Sequence, residues 1–431
     1  MEIRRHSPFF LVIFSLLTIL LALVAYMSFV SSISIEDCLE LDLPVLTIET
    51  EGAKKIKSRE HYLSADYFAI EKNGISKAGK CKIRGRGNTT WETRELYKKP
   101  YLLKLDDKAS LFGLPSSRKW ILMANTADKT QIRNFYAEHI AKKVFSNFRW
   151  TPSSTFISLF VNGKYEGLYA LTEKIEATEG RIPVSEEDGS FVFEVNQRMD
   201  GDYNFRTNLG VSFSIKTNRE TLSDQELTRR KKIIQAAENE IFAIEDTKND
   251  FERPSLDLPS FSDWYLINEL TKNHDARFQF SCYLYYDAQE NKVFMGPIWD
   301  FDISCGNISW DDCENPTGFW VRDAVWLKRL LETKEFENLV TNRWNQKKDE
   351  ISTSIEWLLS TSKSLNDAVM LNDSVWKNIG HRQWPHAPGW KTRKTYESEV
   401  EYMTGWLKKR LVWMDKALES SNISESPKNG A

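Results

Sequence analysis

Three aspartates framing a short β-rich stretch are the side chains of this sequence best placed for chemistry: Asp275 in NHD, and Asp300 and Asp302 in GPIWDFD. Asp275 follows the helix-like run LINELTKNHD and precedes CYLYY, whose aromatic density predicts a strand, so a loop is expected between them. Asp300 and Asp302 alternate with Trp299, Phe301 and Ile303. On an extended backbone at a strand end, both carboxylates would face one way and the apolar side chains the other. Such a set suits phosphoryl transfer, with one group to accept a hydroxyl proton and others to hold a metal that neutralises phosphate charge. A plainer alternative has Asp275 capping a helix or turn, with Asp300 and Asp302 turned to water. A metal-dependent hydrolase is a third option, but His274 is the only histidine near either motif and reads as a loop residue.

The elements that must position these residues begin at residue 43, where LPVLTIET alternates as a strand, with further strands over 64–70 and 79–83. CKIRGRGNTTW then ends a strand in a turn containing Gly85, Gly87 and Asn88, with Arg84 and Arg86 between. Two glycines let backbone approach an anion and the arginines supply charge, although an ordinary hairpin turn has the same composition. In KKPYLLKLDDK, alternation puts Lys104 on the face opposite Leu103 and Leu105, either to neutralise a phosphate or to sit in water on an edge strand. RKWILMAN reads as a buried strand, and Ile132, Phe135, Tyr136, Ile140 and Val144 mark a helix that carries Arg133 and Glu138, with Asp128 or Thr130 as its cap. A hairpin on Asn162-Gly163 follows and runs into Glu173-Lys174.

After Gly180 the pattern shifts to strands over 191–195 and 211–216, then a helix opened by the capping box Ser223–Glu226. A proline break at 254–259 precedes the helix over 261–272 that delivers Asp275. Helices over 324–331 and 336–359 follow, and the last helix carries Tyr402, Trp406, Leu407, Leu411, Met414 and Leu418 as a core stripe. Residues 420–431 are polar and expected to be a disordered tail.

With 431 residues, 41% of them hydrophobic, the chain can bury a core large enough for one bilobal unit or two domains. A net charge of −3 with interspersed signs argues against a nucleic-acid partner. Arg4, Arg5 and His6 precede an apolar run from Phe9 to Val30 that as a helix would span about 30 Å, enough to cross a bilayer. With Glu36, Asp37 and Glu40 behind it, the reading is a cytoplasmic segment 1–8, a membrane signal-anchor over 9–31 and an extracytoplasmic body, a cleavable signal being the rival. Of five cysteines, Cys305 and Cys313 flank a loop-like segment and are the candidate disulfide; buried free thiols are the alternative.

Laid out in order, LPVLTIET, IRGRGNTTW, KKPYLLKLD, LFGLPSSRKWILMANTADKTQIRN, LFVNGKYEGLYALTEKI, NELTKNHD, CYLYYD, GPIWDFDISCGN and GWLKKRLVWMD resemble the CotH family of spore-coat protein H-like kinases, across residues 43–418. The resemblance implies an α+β, bilobal, protein-kinase-like fold, with a β-rich N-lobe over 43–180 and a mainly helical C-lobe over 181–419. ATP would lie between the lobes, and its γ-phosphoryl group would pass to Ser or Thr of extracytoplasmic proteins. On that pattern Gly85, Arg86, Gly87 and Asn88 cover the phosphates, Lys104 is the ATP lysine, Glu138 pairs with it, and Glu173 closes the adenine edge. Asp275 matches the catalytic aspartate and Asp300 the metal-binding one, with Asp302 as a second carboxylate for Mg2+ or Mn2+. The signatures HRD and DFG of ordinary kinases are absent, and Ser281 stands near where members often carry asparagine, leaving Gln279, Asp302 or Asn307 to compensate. A catalytically inactive kinase scaffold, acting in binding or envelope assembly, is the competing function.

Overall fold

The computed structural model describes residues 33–178, 180–243 and 254–419. The apolar run over 9–31 and the tail over 420–431 lie outside these. Among the described residues no helix is long and apolar enough to cross a membrane.

Seven strands form a closed barrel: β1 (Val45–Thr50), β2 (Leu63–Glu71), β3 (Gly74–Gly85), β4 (Tyr101–Ala109), β5 (Ser117–Met123), β6 (Ser154–Val161) and β7 (Lys164–Glu173). Their order is β1-β2-β3-β4-β5-β7-β6, and the barrel closes where β1 runs parallel to β6, Val45 opposite Ser158 through Ile48 opposite Val161. The β6–β7 turn is the expected Asn162-Gly163 pair, with φ of 51° and 71°, the positive values that a two-residue hairpin of matching twist requires. Alternation sends Ile83, Leu103, Trp120, Leu122, Leu159 and Leu171 inward to a dry interior. Leu102, Ile121, Met123, Phe156 and Leu168 point outward and join a second, larger core.

That core spreads from α3 (Arg133–Lys143), which packs Ile132, Tyr136 and Ile140 on the barrel's outer face, into a helix-rich body. The body holds a six-stranded sheet in the order β11-β13-β12-β8-β10-β9, made of β8 (Phe191–Val195), β9 (Asn204–Arg206), β10 (Ser212–Lys216), β11 (Ser255–Leu256), β12 (Cys282–Asp287) and β13 (Lys292–Met295). Around it lie α4 (Asp224–Phe242), α5 (Leu258–Thr271), α6 (Val325–Leu331), α7 (Lys334–Ser364) and α9 (Tyr396–Glu419), while α8 (Asn366–Trp376) docks on β7 of the barrel; two short helices, α1 (Ile35–Glu40) and α2 (Thr89–Glu92), flank the barrel strands. The mixed α+β class, with β-rich and helical parts, agrees with the expectation from the sequence. Ser223 accepts from Glu226 N at 3.2 Å to open α4, and Met403, Trp406, Leu407, Met414 and Leu418 of α9 are core.

Two expectations are corrected. Cys305 and Cys313 are both free and buried, not bridged, because each thiol is absorbed into the apolar interior. The WDFD segment is not a strand: β13 ends at Met295, and Asp300 has a left-handed φ of 67°. Aspartate tolerates that conformation better than most residues.

Candidate active site

Helix α5 fixes the first aspartate. Every residue from Ser260 to Thr271 is buried, as befits a helix covered on all sides, and its charges are paired inside: Glu269 with Arg410 at 2.7 Å and Asp263 with Arg343 at 2.7 Å. The helix stops at Lys272 with φ of 45°, whose ammonium donates to the carbonyls of Asp312, Asn315 and Thr317 at 2.6–3.1 Å. The chain then turns through a single 3-10 turn, His274–Ala276, and Asp275 lies in it as the loop expectation required. Asn273 Nδ2 donates to the Asp300 carbonyl at 3.3 Å, which ties the two acidic motifs together.

Helix α3 holds the second motif. Asn134 Oδ1 accepts from Phe301 N at 2.7 Å, and Arg133 Nε donates to Ser304 O at 3.0 Å while its guanidinium pairs with buried Asp128. Asp128 also accepts from Arg133 N at 2.9 Å, so it serves the helix start from a distance. Asp300 and Asp302 face the cavity and Phe301 is buried away from it, but Trp299 and Ile303 line the same cavity as the carboxylates, so the predicted division of faces does not hold on this non-strand backbone. Ser281 Oγ donates to Asp300 Oδ2 at 3.0 Å. Asn307 spends its amide on the carbonyls of Asp302 and Ala127, at 2.6 and 2.9 Å.

Opposite stands the barrel turn. Gly85 ends β3 under Trp91, whose ring lies 2.3 Å from where a Cβ would be; Gly87 has φ of 82°. Arg86 follows, over the Trp299 ring at 5.7 Å, and Asn88 Nδ2 reaches Asp200 Oδ2 at 3.0 Å. Burial lowers the Arg86 pKa, while Tyr283, Asp300 and Glu194 favour its charge.

These groups share one cavity of about 310 Å³ lined by Arg86, Gly87, Asn88, Asp275, Asp300 and Asp302 among others. A second chamber of about 560 Å³ adjoins it through Arg86, Gly87, Asn88, Asp200, Gly201, Lys216, Tyr283 and Trp299. Its walls include apolar Leu102, Ile121, Ile175, Val192 and Ile215 and the segment from Lys174 to Ala177. Burial, then the charge of Asp275, pushes Asp300 up to about 6. Burial, then the charges of Asp300 and Asp275, holds Asp302 well above the usual carboxylate range. Three carboxylates therefore crowd within electrostatic reach of one another.

The remaining expected residues lie elsewhere. Lys104 is exposed on β4 between Lys82 and Lys119 and lines neither chamber. Glu138 is buried against Ser154 Oγ rather than beside Lys104, and burial raises it to about 7. Glu173 is also buried, accepts from Ser153 N at 3.0 Å, and leaves the following four residues to line the second chamber. The cavity also contains Glu194, Asn196, Arg198, Asp200 and Lys216, which sequence reasoning did not single out. Glu194 and Lys216 lie at the ends of predicted strands, and Asn196, Arg198 and Asp200 in the loop that follows the first of them.

A barrel and a helix-rich body thus meet on one cavity that gathers three carboxyl groups, with Arg86 and the Asn88 amide opposite. The chain belongs to the CotH kinase protein family, whose model matches residues 83–414. That match begins inside β3, later than the resemblance read from residue 43. No curated protein matches the chain significantly.

Proposed function

We propose that this chain is a metal-dependent kinase of bilobal, kinase-like build that moves the γ-phosphoryl group of ATP to a Ser or Thr hydroxyl of extracytoplasmic proteins. The observation that carries the reading is the meeting of Asp275, Asp300 and Asp302 with Arg86 and Asn88 in one cavity. The second chamber, where Leu102, Ile121, Ile175, Val192 and Ile215 form an apolar strip among polar walls, would take the nucleobase, and the first chamber the phosphates, with Arg86, Gly87 and Asn88 at the junction of the two. Arg86 takes over the cationic role that the resemblance gave to Lys104, and its fixed fork of donors suits a phosphate. The Lys174–Ala177 stretch, rather than the Glu173 side chain, faces the base.

Asp300 and Asp302 offer hard oxygens to Mg2+ or Mn2+, and their mutual repulsion is the condition that a divalent cation relieves. Among the described residues no group of three or more His, Cys, Asp or Glu forms a ready metal cage. Mg2+ commonly needs only one or two carboxylates when substrate phosphates complete its shell. A bound cation would neutralise phosphate charge. Asp275 orients the acceptor hydroxyl and takes its proton. The apolar run 9–31 anchors the body outside the cytoplasm.

Purified chain incubated with γ-labelled ATP, Mg2+ or Mn2+ and Ser-rich proteins tests this. Asp275→Asn is expected to cut transfer by roughly 10²–10⁴-fold with unchanged thermal unfolding; equal labelling by variant and wild type overturns the reading. A nucleotide-binding scaffold without turnover is favoured by one observation, the position of Lys104 away from the cleft. It predicts a thermal shift with ATP and metal, about 2.7 kcal/mol at a hundredfold excess over Kd, and no labelling.

A further inference from the structure

His274 lies between two carboxylates. Its Nδ1 is 3.2 Å from Asp275 Oδ1 and its Nε2 is 2.9 Å from Asp311 Oδ2. An ionised carboxylate only accepts hydrogen bonds, and a neutral imidazole donates from one nitrogen alone. Both contacts are satisfied together only when the ring carries two protons. The ring is held flat against Trp320, at 5.2 Å and 21°, and Trp320 Nε1 donates to the His274 carbonyl at 2.9 Å. Trp310 closes the edge at 5.9 Å and continues to Trp384 in the cavity wall.

We propose that His274 is a positioning residue: as an imidazolium bridged to Asp311, it fixes the rotamer of Asp275 for proton acceptance. The proposal rests on the kinase reading of the same site. Asp275 comes from the histidine's own loop and Asp311 from the turn after Trp310; the other rings packed on it, Trp310 and Trp320, are uncharged, and Arg277 lies over the Trp320 ring at 4.7 Å. Although burial opposes it, the bonds to Asp275 and Asp311 raise His274 above its ordinary value of 6.5. Asp311 is 54% exposed, so its substitution leaves the core intact.

A base with a raised pKa keeps its bridge at low pH and loses it as pH climbs through the raised value, so the rate falls on the alkaline side. The test uses the full-length chain with 15N-labelled histidine, the signal of His274 being the one of six that disappears in His274→Gln. Both ring nitrogens are expected to be protonated at neutral pH, and Asp311→Asn to lower the titration midpoint by about one pH unit. The alkaline limb of kcat is expected to move by the same amount with KM for ATP unchanged, and His274→Gln to remove that limb and lower kcat roughly tenfold. A neutral ring at neutral pH, or a titration and a limb that ignore Asp311→Asn, overturns the proposal. Absence of transfer by the wild type defeats the kinase reading instead, and the nitrogen spectra still decide whether the bridge exists.

Discussion

The barrel interior and the cleft wall are built from neighbouring residues of the same strands and obey opposite rules. Inside, Leu103 and Trp120 are fully buried among apolar neighbours. Outside, one residue away on β4, Leu102 walls a chamber that opens onto three crowded carboxyl groups, Asp300 among them with a left-handed backbone. Left-handed backbone and crowded acidic groups collect on the cleft side, and the packed barrel interior holds the wall they face.

That contrast is open to attack from both sides. The largest effect on stability is expected inside: Leu103→Ala should cost about 2–5 kcal/mol in denaturant unfolding, through lost burial and a cavity. A smaller value would mean that the barrel is less tightly filled than its burial indicates. The cleft should behave in the reverse sense. Asp300 rises from 3.8 to about 6 on folding, so the folded chain binds the extra proton between those values. Stability without metal should therefore fall as pH climbs from 3.8 to about 6 and stay lowered above. Asp300→Asn should raise the melting temperature at neutral pH, by the equivalent of about 1 kcal/mol, and abolish any stabilisation by Mg2+. An unchanged response to Mg2+ would move the cation site elsewhere. The smallest effect belongs to Lys104→Ala, expected within about 0.5 kcal/mol in unfolding and without influence on ATP-induced thermal shift. A lost shift would return that lysine to the nucleotide site.

Lys104 also illustrates what can be read from letters alone. Period-two alternation correctly sets Leu102 and Lys104 on one face of β4, and that face does line the cleft at Leu102. Alternation says nothing about how far along a strand the cleft extends, and two residues on, the face is already in water. Arg86 was legible as a charge beside two glycines, and the groups that favour its charge were not, because Glu194 and Tyr283 come from strands β8 and β12 that pair with each other across about ninety residues of sequence. Asp275 was read correctly because a helix, a polar break and an aromatic strand are local signals. Asp300 and Asp302 point to the cleft for a different reason from the one alternation suggested: a turn held by Asn134 and Asn273, not a strand, aims them. Glu138 has the burial of a functional acid, yet its partner is Ser154, a pairing that only the packing of α3 on β6 reveals.

The parallel seam between β1 and β6 sets a timetable for the newborn chain. At synthesis rates of about 5–20 residues per second, β1 waits on the order of ten seconds before its second neighbour has left the ribosome. Until then β2 alone occupies one flank of β1, and the other flank is an open edge able to pair with a foreign strand. The family match starts only at residue 83. The strand that must endure this delay, β1, lies upstream of that match, and the barrel is sealed only when β6 reaches it.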